Sequence, residues 1–125
     1  MQYLLDTHVI LWWLTEPKKI KQKALKTISD RNNRIFISSA SFWEIGIKKG
    51  LGRIIIPHNI IETLLNEGFE ILSISAEAGL GVADLPMIHS DPFDRLLVIQ
   101  AKLNDLIIIT NDAKINDYPV VIIPA

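Results

Sequence analysis

Apolar residues along this chain fall into two patterns: short unbroken runs, and longer stretches in which they return every three or four positions. A short apolar run bounded by polar or turn-forming residues fits a strand buried on both faces, whereas the three-to-four spacing fits one face of a helix. Tyr3-Leu4-Leu5 is the first run and ends at Asp6. His8 to Leu14 continues as a helical turn before Pro17 restarts the chain, and Lys18 to Ser29 reads as an amphipathic helix with Ile20, Ala24, Leu25 and Ile28 as its apolar stripe. Arg34 to Ile37 is a second strand. Ser38 and Ser39 are candidate caps for a helix from Ala40 to Lys49 that stops at Gly50.

Ile54 to Ile56, before Pro57, is a short extended segment, and Asn59 to Glu67 is helical by pattern and stops at Gly68. Glu70 to Leu72 can form a third strand, and Ser75 caps a short helix reaching about Asp84. After a loop from Leu85 to Ser90, Asp91-Pro92 is the clearest helix start in the chain, with Asp at the cap and Pro at the first helical position. That helix runs to about Asn104. Leu106 to Ile109 fits a central strand, and Val120 to Ile123 a final one. Strands alternating with helices imply right-handed crossovers and a parallel sheet covered on both faces. The expected fold is α/β: one domain over residues 1–125, built as a three-layer α/β/α sandwich around a mainly parallel sheet.

A chain of 125 residues is large enough to bury a core and too short for two substantial domains. Its 49% hydrophobic content and mean hydropathy of +0.27 leave apolar surface for a partner. No apolar run approaches the ~18 residues that a membrane span needs, and Met1-Gln2-Tyr3 lacks the basic start of a secretory signal, so a cytoplasmic protein is expected. The absence of cysteine removes disulfides, thiol nucleophiles and thiolate zinc sites. Any metal must be held by oxygen or imidazole.

Net charge is −1, so no global basic field announces a nucleic-acid binder. Positive residues do cluster at Lys18, Lys19, Lys21, Lys23 and Lys26, where a solvated helix face is the simpler reading, and again at Lys48, Lys49 and Arg53. Gly79-Leu80-Gly81 lacks the third glycine of a dinucleotide loop, and no phosphate loop ending in Gly-Lys-Ser or Gly-Lys-Thr exists. Nucleotide cofactors are unsupported.

In open α/β sheets ligands collect past the carboxyl ends of the strands. Asp6 follows the first strand there, and Asp112 follows the strand Leu106 to Ile109 within Thr110-Asn111-Asp112. Glu44 lies on the helix after the second strand, and Asp94 in the first turn after Asp91-Pro92. Gathering such carboxylates without a cation is unfavourable, because like charges raise one another's pKa and desolvation adds to the cost. A hard divalent ion, Mg²⁺ or Mn²⁺, takes oxygen ligands and leaves positions open for phosphate oxygens.

Each acid also has a plainer reading. Glu44 and Lys48 stand at i, i+4 in the order of a surface ion pair. Asp91 is explained as a helix cap, Asp94 occupies the acidic position of a capping box, and Asp112 fits a turn after a strand. His8 and His89 could serve as bases or ligands, but a hard-cation site prefers oxygen, which favours structural roles for both. Arg95 could touch phosphate or pair with a neighbouring acid. Trp12, Trp13, Phe42 and Trp43 fit a core or a partner interface better than a base-stacking platform, since no basic residues interleave with them.

Four ordered blocks carry a resemblance that spans nearly the whole chain. They are Tyr3-Leu4-Leu5-Asp6-Thr7-His8, then Ser41-Phe42-Trp43-Glu44-Ile45 with Lys48-Lys49 and Gly52, then His89 to Leu97, and Thr110-Asn111-Asp112. In that order they resemble the PIN-domain family, and within it the VapC-like toxins of type II toxin–antitoxin modules. The resemblance implies an α/β/α ribonuclease that depends on Mg²⁺ or Mn²⁺, cleaves RNA, forms a homodimer and is inhibited by a small antitoxin protein. By position Asp6, Glu44 and Asp94 match the family's core acids and Asp112 the more variable fourth, so that all four are catalytic and metal-ligating candidates. Thr110 matches a residue that supports the site by hydrogen bonding. Asp91 is an extra acid, for which capping is the favoured role.

Aspartyl phosphatases also place an Asp after the first strand, but they need a second acid where this chain has His8. Response-regulator receivers want a phosphoacceptor Asp after the third strand, where Ser73-Ile74-Ser75 stands. The remaining alternative is a PIN-like module that binds RNA or protein without cleaving.

Overall fold

The computed structural model describes all 125 residues. Five strands form one sheet: β1 (Gln2–Leu5), β2 (Arg34–Ser38), β3 (Glu70–Leu72), β4 (Ile107–Thr110) and β5 (Ile122–Pro124). Every neighbouring pair is parallel, in the order β3-β2-β1-β4-β5. Six α-helices connect and cover them: α1 (Thr7–Thr15), α2 (Gln22–Ser29), α3 (Ser39–Gly50), α4 (Ile60–Asn66), α5 (Ala76–Gly81) and α6 (Pro92–Asn104).

Period-two alternation divides the strand side chains between two cores. Tyr3, Leu5, Ile35, Ile37 and Ile109 point into a cluster with Val9, Ile10, Ala24, Ile28, Ile45 and Leu64 of α1 to α4. Leu4 and Ile108 point the other way, into a cluster with Ala78 of α5 and Leu97, Val98 and Ala101 of α6. Because both faces are covered, the inner positions of β1, β2 and β4 are apolar in succession rather than alternating with polar residues. The three-layer arrangement expected from the sequence is the one observed.

The chain steps outward from β1 to β2 to β3, then returns to lay β4 on the opposite side of β1. Crossovers of one hand that travel in opposite directions place their helices on opposite faces, which separates α1–α4 from α5 and α6. The reversal opens a crevice at the carboxyl ends of β1 and β4, the place where open parallel sheets take their ligands.

Three boundaries differ from the sequence reading. The helix expected over Lys18 to Ser29 is broken: Pro17–Lys19 form a 3-10 turn, Ile20 is extended (φ −80°, ψ 131°) with its side chain buried, and α2 starts at Gln22. Leu106 follows α6 and closes its end, donating its amide to Ala101 O at 2.9 Å after Asp105 adopts a left-handed conformation (φ 55°). Hence β4 begins at Ile107. Val120 closes a turn on Tyr118 O at 2.8 Å, so β5 begins at Ile122. The segment Ile54 to Ile56 pairs with no strand.

Gly68 ends α4 with φ of +95°, and the amides of Gly68 and Phe69 close back on Leu65 O and Leu64 O. A Cβ added there meets nothing within 4 Å, so the penalty of a substitution is conformational alone. Gly68→Ala is expected to lower unfolding free energy by about 1 kcal/mol. Urea denaturation measures this, and an unchanged midpoint would contradict the assigned backbone conformation.

Candidate active site

Asp6 is the residue at which β1 gives way to α1. Its amide still donates to Ile109 O at 3.0 Å, in register with β4, while its carbonyl accepts the amide of Ile10 at 3.1 Å, so the backbone is tied on both sides and the side chain sits over the crevice. Thr110, the last residue of β4, donates its hydroxyl to Asp6 Oδ2 at 2.6 Å and accepts the Asp112 amide at 2.9 Å. One buried hydroxyl thus fixes two acids from opposite ends of the chain.

Ser38 caps α3, accepting the Ala40 amide at 3.0 Å and donating to the Gln100 side chain of α6. This ties α3 to α6 across the edge of the sheet. Glu44, one turn into α3, is buried on the crevice side. Its Oε2 pairs with Lys48 Nζ at 3.0 Å, as the i, i+4 spacing allows, but its Oε1 is buried with no hydrogen-bond partner. The ion pair therefore accounts for half of the carboxylate. A buried oxygen left without a donor is unfavourable unless a ligand meets it.

Asp91 caps α6, accepting the Phe93 amide at 2.8 Å, while Asp94 in the first turn of that helix points instead into the crevice. The two acids of that helix start are thereby separated, and no capping-box bond is made by Asp94. Asp94 Oδ2 lies 3.0 Å from His89 Nε2, and Asp112 Oδ2 lies 2.7 Å from the same nitrogen. The ligand-type atoms of His89, Asp94 and Asp112 all fall within 4.8 Å of one another.

The electrostatics of this group follow from burial and repulsion. Burial raises Asp94, and the charges of Asp6, Asp91, Asp112 and Glu44 add to it, so that its carboxyl is pushed up to about 8. His89 Nε2 lies closer to Asp112 than to Asp94. Asp6 is also raised, first by burial and then by Asp112 and Glu44, against the lowering bond from Thr110. Burial acts to raise Asp112, but the bond from His89 and the backbone amide of Lys114 outweigh it and hold that carboxyl below its ordinary range. The charges of Glu44 and Asp112 act on both Asp6 and Asp94, which puts these carboxylates within electrostatic reach of one another.

The remaining chemistry-bearing residues separate clearly. His8 is exposed and packs at a tilt against Trp12, ring centroids 5.2 Å apart, whereas His89 is buried against Asp94 and Asp112. Sequence gave the two histidines equal standing, and only the five-residue offset from Asp94 could have favoured His89. Arg95 neither faces the crevice nor pairs with an acid. It is buried and donates to Val82 O at 2.8 Å and Pro86 O at 3.1 Å, with the Tyr118 hydroxyl at 3.3 Å. Since Tyr118 also accepts the His89 amide at 2.9 Å, Arg95 anchors the loop that carries His89. Trp43 is not a core residue: 60% exposed, it packs edge-on against Phe93 at 5.1 Å beside the acidic crevice.

A parallel α/β/α sheet with acids gathered at its topological switch point places the chain among the open α/β folds that take their ligands past the strand ends. Residues 3–121 match the PIN domain family, and the chain belongs to that family. It is 25% identical over 118 residues to ribonuclease VapC22 of Mycobacterium tuberculosis, covering 92% of this chain and 90% of that protein. Among solved structures it is similar to VapBC2 from Rickettsia felis bound to a promoter DNA fragment, with TM-score 0.73, 19% identity, and 99% and 98% of the two chains covered. VapBC-1 from Haemophilus influenzae gives TM-score 0.64, 20% identity, and the same coverage of 99% and 98%. No helix of this chain is long and apolar enough to cross a membrane.

The raised acids set a pH dependence with a definite sign. Folded Asp94 keeps its proton up to about 8, whereas in the unfolded chain it loses it near 3.8. Between those values the native state binds more protons, so stability falls as pH rises through the window, and Asp6 acts in the same direction. Asp112, being lowered, acts in the opposite sense and only as pH falls below the ordinary carboxylate range. In EDTA the melting temperature is expected to drop from pH 5 to pH 8, and Asp94→Asn to flatten that slope. A wild-type slope that the variant reproduces unchanged would contradict the assignment.

Proposed function

We propose that this protein is a divalent-metal-dependent endoribonuclease of the VapC kind, in which Asp6, Glu44 and Asp94 hold Mg²⁺ or Mn²⁺ and Asp112 completes the site. The observation that carries the reading is the buried, unpartnered Glu44 Oε1 beside a crevice where burial and neighbouring acids raise the pKa of Asp6 and Asp94. An all-oxygen set with excess negative charge matches a hard divalent cation, and softer metals have no thiolate here to bind. When bound, such a cation lowers the pKa of a water and offsets charge growing on phosphate oxygens.

The chain's own residues supply the frame for that chemistry. Thr110 orients Asp6 so that its carboxylate faces the crevice, and Lys48 holds Glu44 by one oxygen while leaving the other available. Asp94 gives up its proton as the site is loaded, which couples cation uptake to pH. Lys49 and Arg53, exposed at the end of α3, offer positive charge to a backbone approaching the crevice. The substrate is RNA, by the likeness to ribonuclease VapC22. A small antitoxin protein and a second copy of the chain are its expected partners, consistent with the likeness to VapBC assemblies and with the exposed apolar side chains Trp43, Ile47 and Leu51 along α3.

Cleavage of structured and single-stranded RNAs by the purified protein tests this directly. Asp6→Asn, Glu44→Gln and Asp94→Asn are each expected to reduce kcat by orders of magnitude while melting as cooperatively as wild type, and EDTA to abolish cleavage. Asp112→Asn is expected to be milder. Cleavage that persists in EDTA or in Asp94→Asn would refute the mechanism.

A further inference from the structure

Asp112 differs from the other acids in how its oxygens are used. Oδ2 takes the bond from His89 Nε2 at 2.7 Å, and Oδ1 accepts the Lys114 amide at 2.9 Å. Asp94 has only Oδ2 engaged, and Glu44 keeps Oε1 without a partner. The oxygens left open toward the crevice therefore belong to Asp94 and Glu44 rather than to Asp112.

His89 is equally constrained. Its Nδ1 lies 3.1 Å from the Asp91 amide, a backbone N–H that can only donate. Nδ1 is the acceptor of that bond and carries no proton, so a neutral ring has its proton on Nε2. The backbone at the start of α6 thus fixes the tautomer, and Nε2–H is delivered to Asp112, with Asp94 Oδ2 held 3.0 Å from the same nitrogen. The ring itself is held by the bond from its own amide to Tyr118, which Arg95 secures in turn. While Nδ1 accepts the Asp91 amide it cannot take up the proton, so Nε2 could offer a lone pair to a cation only if the ring became an imidazolate.

We propose that His89 is a positioning residue, not a metal ligand: locked by the Asp91 amide with its proton on Nε2, it pins Asp94 to Asp112 and so sets the place of the Asp94 carboxylate. Asp112 then acts through His89, as the fixed post against which Asp94 is held. The part of this inference that concerns cation binding rests on the metal-site reading above. The part that concerns the ring does not.

Two substitutions separate the functions of the ring. His89→Asn keeps an acceptor near the Nδ1 position for the Asp91 amide but cannot reach the acids, whereas His89→Gln keeps a donor near the Nε2 position. In metal-free protein, long-range proton–nitrogen NMR of the histidine rings is expected to show His89 with Nδ1 bare and Nε2 protonated, its signals assigned by their loss in His89→Gln. The carboxyl carbon signals of Asp94 and Asp112 are expected to move in His89→Asn and to stay near wild type in His89→Gln. Calorimetric titration with Mn²⁺ is expected to give a ~10- to 100-fold weaker affinity for His89→Asn, the usual effect of losing a residue that orients a ligand, and a change of only a few-fold for His89→Gln.

Pulsed electron paramagnetic resonance of the Mn²⁺ complex is expected to show no imidazole nitrogen coupled to the ion. A protonated Nδ1, a nitrogen coupling to Mn²⁺, or equal losses in both variants overturns the proposal. If wild type takes up no Mn²⁺, the metal-site reading fails by itself, and the ring and carboxyl signals still decide the role of His89. Should His89→Asn fail to fold, the wild-type tautomer and the His89→Gln carboxyl signals decide it.

Discussion

Repulsion among buried carboxylates is the constraint on which the rest of this structure depends. A hydrophobic domain would ordinarily keep acids in water, yet here Asp6, Glu44 and Asp94 are buried at one end of the sheet with Asp112 beside them. Burial and mutual charge both oppose ionisation, and the protein answers by leaving Asp94 protonated to about 8. Groups held in such tension store free energy that a cation can release. The site is thus unfavourable to the empty fold and favourable to the loaded one, the usual sign of residues kept for chemistry rather than for stability.

Such tension persists only if the scaffold prevents the acids from turning outward. Each one is accordingly fixed by a neutral or singly charged partner: Thr110 for Asp6, Lys48 for Glu44, and His89 for Asp94 and Asp112. Those partners are themselves anchored. Arg95 fastens the His89 loop through the carbonyls of Val82 and Pro86, and Gln100 joins the cap of α3 to α6. None of these contacts adds much to stability alone. Together they convert a set of repelling side chains into a fixed constellation, which is what electrostatic preorganisation requires.

Much of this was legible from residue pattern, because a two-faced parallel sheet leaves a strong signature. Runs such as Ile107-Ile108-Ile109 announce buried strands, and acids directly after such runs sit at the carboxyl ends by geometry alone. What pattern cannot supply is the direction of a hydrogen bond. Val120 and Leu106 are as apolar as their neighbours, and only their turn-closing bonds exclude them from β5 and β4. Ile20 breaks a stretch of helical spacing because its side chain is needed in the core. His89 escaped for the same reason: nothing in its spacing reveals which nitrogen carries a proton, since that is decided by the Asp91 amide across a turn.

The topology also dictates when the site can exist. Asp6 and Thr110 are bonded across 104 positions, and β1 pairs with β4 only after two crossovers have been laid down on one face and a third on the other. Loop closure of this length is unfavourable until the intervening cores have formed, so the docking of β4 is a late event whenever folding follows the accumulation of local contacts. Before that event Asp6 and Glu44 lie on the β1 and β2 side with few negative neighbours, while Asp94 and Asp112 belong to the later half of the chain. The acids thus meet where the two halves of the sheet join, and their repulsion is set against the hydrophobic clusters that bury both faces of that seam.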